Sequence, residues 1–155
     1  MGLALKRTGF SGRVVGVSRQ ETVQTALDMG VIDEGWSYDE MDRALEGADL
    51  IFICTPIERI LEQVEQVGRP AANGALVTDV GSTKRQIVTR AAECFRDGVY
   101  FIGGHPMAGS EKAGVTAADP FLFQNAIYIL VPDEKVPRDR YTRLRLCSKK
   151  LEHEY

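Results

Sequence analysis

The chain has 155 residues, 44% of them hydrophobic and 26% charged, with a formal net charge of −3. That size suits one domain with a real core, and the mild acidity offers no basic footprint for nucleic acid. No apolar run approaches the ~18 residues a membrane span requires, so neither membrane nor nucleic acid is an expected partner.

The opening MGLALKRTGF is too short for a signal peptide and has its regions in the wrong order. Lys6 stands where a myristoylation motif needs Ser or Thr. Continuous apolar runs at 14–17, 50–53, 75–77, 99–102 and 127–131 predict strands buried on both faces. Helical patterns lie between them. In SYDEMDRALEGAD, Ser37 and Glu40 have the spacing of a capping box, and Gly47 suits the helix end. In TPIERILEQVEQV, Ile57, Ile60, Leu61, Val64 and Val67 share one face. Thr55 is placed to cap that helix, with Pro56 at its first position and Glu58 at the third. STKRQIVTRAAECF stacks Ile87, Ala91 and Phe95, and the last twenty residues carry a thin stripe through Tyr141, Leu144 and Leu151. Cys54, Cys94 and Cys147 are scattered, odd in number and without metal spacing. They read as small core residues in a reducing compartment, hence an expected cytoplasmic location.

Strands alternating with helices imply βαβ units and a mostly parallel sheet with right-handed crossovers. Ligands of such sheets bind at the carboxyl ends of strands. Four polar corners would share that rim: SRQ (18–20), CTP (54–56), DVGS (79–82) and GGHPMAG (103–109). Ser82 either caps the next helix or reaches a ligand hydroxyl, with Gly81 allowing close backbone approach. Ser18 and Arg19 are either a solvated helix start or, in a dinucleotide-binding fold, the place where Arg accommodates a 2′-phosphate. His105 has no Cys, His or carboxylate at ligand spacing, so no metal is expected. It is either a hydrogen-bonded loop residue or a proton acceptor, a task an imidazole with an unperturbed pKa of ~6.5 suits. Gly103 and Gly104 are expected to allow positive φ, and Pro106 to stiffen the residues after it. His153 sits in a charged tail and reads as solvated.

In this order and spacing, GLALKRTG, VVGVSR, ADLIFICTP, VTDVGSTK and GGHPMAGSEKAGV resemble the prephenate/arogenate dehydrogenase family of tyrosine biosynthesis, over nearly the whole chain up to about Pro132. The resemblance implies a Rossmann-like, doubly wound α/β domain. It also implies NAD(P)-dependent oxidative decarboxylation of prephenate or arogenate, and a C-terminal helical dimerisation domain. By the same resemblance His105 matches the catalytic histidine, and Ser82 the serine that orients the substrate's ring hydroxyl. Thr55 and Pro56 lie along the cofactor, Asp79, Val80 and Gly81 near its nicotinamide end, and Ser18 and Arg19 near its adenosine end. With Arg19 and no acid at that strand end, NADP is the expected cofactor and NAD the alternative.

Two parts of the family pattern are not found in the sequence. A strand and a G-x-G-x-x-G loop should precede GLALKRTG, and a helical domain should come after. The expectation is therefore a partial dinucleotide-binding domain over 1–155 without its first strand and glycine-rich loop. Its sheet would be cut in two, because that strand is central in the order 3-2-1-4-5-6. Weak dinucleotide binding and no turnover are expected of residues 1–155 alone, and a homodimer only of a full-length form. The competing reading is a truncated, non-catalytic remnant or ligand-binding module of the same fold. Another hydroxy-acid dehydrogenase is a third, against which GGHPMAG speaks.

Overall fold

The computed structural model describes residues 1–109 and 114–152. Residues 110–113 of the GGHPMAGSEKAGV stretch, and His153 with the rest of the tail, lie outside the described residues. The strands are β1 (Val15–Val17), β2 (Glu34–Trp36), β3 (Leu50–Ile53), β4 (Leu76–Asp79), β5 (Tyr100–Pro106) and β6 (Tyr128–Val131). The helices are α1 (Gly2–Arg7), α2 (Gln20–Asp28), α3 (Met41–Leu45), α4 (Ile57–Gly68), α5 (Arg85–Cys94) and α6 (Arg138–Glu152). No described helix is long and apolar enough to cross a membrane.

The described strands form two separate sheets, β1-β2 and β3-β4-β5-β6. All pairs are parallel except β5 with β6. Strands β3 to β5 of the larger sheet are covered on both faces, which is why they read as continuous apolar runs. On one face Ile53, Val77 and Phe101 pack against Ile60, Val64 and Val67 of α4 and Ile87 and Ala91 of α5. On the other, Leu76 and Ile102 meet Leu144 of α6 and Val136 before it. Strand residues thus alternate between two cores. The thin stripe on α6 suffices because Leu151 is buried separately, against Ala4 and Leu5 of α1.

Several local expectations need correction. Strand β2, Glu-Gly-Trp, has no apolar run to announce it. It forms because β1 recruits it while α2 lies directly over it: a Cβ on Gly35 would stand 2.3 Å from Val23 Cγ1. Neither capping box forms. Helix α4 begins after Pro56 without a side-chain cap, and the Thr55 hydroxyl instead donates to Gln63 Oε1 at 2.9 Å. Ser37 bonds the Glu40 side chain (3.1 Å), and the helix proper starts only at Met41. Gly47 does come after α3 with φ of 72°, the left-handed conformation that ends helices. The cysteines are not fully buried: Cys54 is exposed, Cys94 is half-buried, and half-buried Cys147 packs at the edge of the cluster of Ala4, Leu5 and Leu151.

Candidate active site

His105 is a strand residue, not a loop residue. The ladder between β4 and β5 ends at Thr78 opposite Ile102, yet β5 continues to Pro106 by pairing with β6, His105 standing opposite Ile129. The two glycines before it do not adopt positive φ. They are glycines because three strands crowd there. A Cβ on Gly104 would stand 2.7 Å from the Asp79 carbonyl oxygen, 2.8 Å from Thr78 Oγ1 and 3.0 Å from the Tyr128 ring. On Gly103 it would stand 3.1 Å from Lys84 Cδ.

The corner 79–82 is tied to this strand. Asp79 has 0% exposure. Its Oδ2 accepts the Gly81 N–H at 2.9 Å and the Lys84 ammonium, and its Oδ1 accepts the Gly104 N–H at 3.2 Å. Lys84 Nζ also donates to the Gly104 carbonyl at 2.8 Å. The Asp79 side chain is therefore turned inward and bonded to Gly81, Lys84 and Gly104. Val80 is half-buried, and its N–H donates to Ile53 O at 3.2 Å, which binds this corner to the end of β3. Gly81 packs on α4, where a Cβ would stand 2.9 Å from Ile60 Cδ1.

Ser82 does not cap the next helix. Helix α5 starts at Arg85 with Lys84 as its N-cap residue and no side-chain cap bond, and Ser82 is exposed. Pro56 is exposed and Thr55 half-buried, beside the corner 79–82 through the contact of α4 with Gly81. The structure thus joins three of the four corners. The fourth, Ser18 and Arg19, belongs to the smaller sheet. Ser18 donates its N–H to Trp36 O at 3.2 Å, and Arg19 is exposed at the start of α2 with no ion pair among the described residues. The two parts touch where the Arg59 guanidinium of α4 lies 5.0 Å from the Tyr38 ring centroid just past β2.

Sequence reading missed the surface beside His105. Strand pairing puts Ile129 on the same face as His105, and the Met107 N–H bonded to Ile127 O (2.7 Å) puts those two residues there as well. Met107, Ile127 and Ile129 are 56%, 70% and 46% exposed. Nothing in the apolar run 127–131 distinguishes a strand with one open face from a strand buried on both. A cavity of about 300 Å³ lies further back along β5, lined in part by Val88, Phe101, Gly103 and Val131, and contains none of the predicted site residues. Among the described residues no group of three or more His, Cys, Asp or Glu is arranged to hold a metal.

Comparison with known proteins places this geometry. The family described as "Prephenate dehydrogenase, nucleotide-binding domain" matches residues 1–152. Prephenate dehydrogenase of Bacillus subtilis (strain 168) is 38% identical over 145 residues, 92% of this chain and 38% of that protein. The solved prephenate dehydrogenase of Aquifex aeolicus, in complex with hydroxyphenyl propionate and NAD+, superposes with a TM-score of 0.86 at 28% identity, over 99% of this chain and 53% of that one. Synechocystis arogenate dehydrogenase gives 0.86 at 33% identity, again over 99% and 53%. The chain thus spans 38% of the curated relative and about half of each solved chain. With its strand order, its helices and these relatives in agreement, the chain belongs to the nucleotide-binding domain family of the prephenate dehydrogenases.

Proposed function

We propose that this chain is the nucleotide-binding part of an NAD(P)-dependent dehydrogenase that oxidatively decarboxylates prephenate or arogenate, with His105 and Ser82 at the substrate's ring hydroxyl. One observation carries the reading. His105 and Ser82 lie on two corners that are bonded to each other at a strand end, and the Ser82 hydroxyl is not spent on capping. In this reading Ser82 orients the ring hydroxyl. His105 accepts its hydrogen bond and draws off the positive charge that grows there as hydride leaves C4 and CO₂ leaves C1. A positioned acid–base group of this kind contributes ~10²–10⁴-fold.

The residues fit a nicotinamide dinucleotide. Arg19 is an exposed cation at the end of β1, suited to a 2′-phosphate through charge-assisted hydrogen bonds, so NADP is the favoured form. Thr55, Pro56 and the backbone of 79–81 line the path toward His105. When bound, the nicotinamide supplies the hydride acceptor. The three cysteines are free thiols, in keeping with a cytoplasmic enzyme. Titration of the full-length enzyme with NADP and NAD, then its assay with prephenate and with arogenate, tests the proposal; the absence of turnover by the full-length form with both substrates overturns it.

A further inference from the structure

Strand β4 ends at Asp79, and the chain then turns, the Val80 N–H bonding back to Ile53 O. The edge of β5 that faced β4 loses its strand partner at Gly104, one residue before His105. An extended segment left open in the interior would have an orphaned N–H and C=O, which folded proteins rarely tolerate. Here both groups are met by side chains. The Gly104 N–H goes to Asp79 Oδ1 (3.2 Å), its carbonyl takes Lys84 Nζ (2.8 Å), and Asp79 and Lys84 are themselves paired. The Asp79 side chain is fully buried and that of Lys84 is 18% exposed, so the pair is largely shielded from solvent screening.

We propose that the Asp79–Lys84 ion pair is a positioning device for His105. It takes the place of a strand partner against Gly104 and keeps β5 extended to Pro106. It thereby fixes the imidazole relative to the corner that carries Ser82. The spacing Asp79-x-Gly81-x-x-Lys84 is what this needs: the carboxylate at the strand end, a Gly N–H to orient it, and a lysine at the helix start that reaches back. Neither side chain touches substrate in this role. The inference rests on the dehydrogenase reading for what His105 does, but not for how it is held.

Because a misplacement of ~1 Å can cost ~10²-fold, Lys84→Met should lower kcat by about that factor while leaving KM for the dinucleotide within about two-fold. Lys84→Arg should recover most of the loss, since its fork of N–H groups can reach the same two acceptors. Amide hydrogen exchange on the same variants should show faster exchange at Gly104, with Val77 and Ile102 unchanged. Unchanged kcat in Lys84→Met, or unchanged exchange at Gly104, overturns the proposal. So does a uniform rise in exchange with a parallel loss of thermal stability, which would make the pair merely structural. These kinetics are read on the full-length enzyme; if its wild type turns over neither substrate, the dehydrogenase reading fails, and exchange at Gly104 still decides whether the pair holds the strand.

Discussion

Asp79 and Gly104 are 25 residues apart in sequence, yet the Gly104 N–H donates to Asp79 Oδ1 at 3.2 Å. The same closeness leaves no space for a side chain, because a Cβ on Gly104 would stand 2.7 Å from the Asp79 carbonyl oxygen. Gly104→Ala should therefore force β5 away from β4 and cost about 1–3 kcal/mol, the usual penalty of overpacking. Gly109 is the control. Among the described residues a Cβ there would meet nothing within 4 Å, and its φ is not positive. Gly109→Ala should stay within ~0.5 kcal/mol. Urea denaturation of the two variants checks the difference.

His105→Asn should keep the fold and the affinity for dinucleotide while lowering kcat by ~10² or more. The residue is half-buried in a strand rather than packed in either core, so its replacement removes no large apolar contact. Steady-state kinetics with both substrates, beside a binding titration, separates the two effects. Near wild-type turnover would show that the imidazole has no part in the chemistry.

Arg19→Ala should reduce kcat/KM with NADP by about ten-fold or more, the scale of a hydrogen bond to a charged group, and leave NAD nearly unaffected. A side chain so exposed has little role in stability, and the melting temperature should not change. Equal losses with both cofactors would mean that Arg19 does not face the 2′-phosphate.

Tyr128 is predicted to make the protein sensitive to alkali. Burial first, then the charges of any ionised Cys54 thiol and of the Asp79 carboxylate, push its phenol well above the usual range near 10. Thr78 is its neighbour, yet neither hydroxyl has a hydrogen-bond partner in good geometry among the described residues. With the folded pKa raised, the unfolded chain binds fewer protons once pH passes ~10. The stability held below that pH is then lost as pH rises further. Tyr128→Phe should remove this alkaline loss and, since it deletes a buried hydroxyl without a partner, be neutral or stabilising at pH 7. Denaturation curves at pH 7 and pH 10.5 measure both effects.

Much of this protein was legible from the residues in order. Ile60, Val64 and Val67 announce α4 because a helix repeats every 3.6 residues whatever packs on it, and 50–53 announces a strand by its unbroken apolar run. The motifs around Ser82 and His105 likewise marked the strand ends that the fold brings together. The reasons behind particular residues were not legible, because they depend on partners distant in the chain. Gly103 and Gly104 look like turn glycines, but β4, β6 and Lys84 leave them no room for a Cβ. Asp79 lies in one of the polar corners, and only the fold shows that its carboxylate turns inward to Gly104 and Lys84. Ser37 and Thr55 have capping sequences, but side-chain partners took their hydroxyls. Local pattern determines which element forms, since propensity and periodicity act over a few residues. What each polar group in it does is decided only when the strands meet, because buried hydrogen-bonding groups take whichever partner the packing supplies.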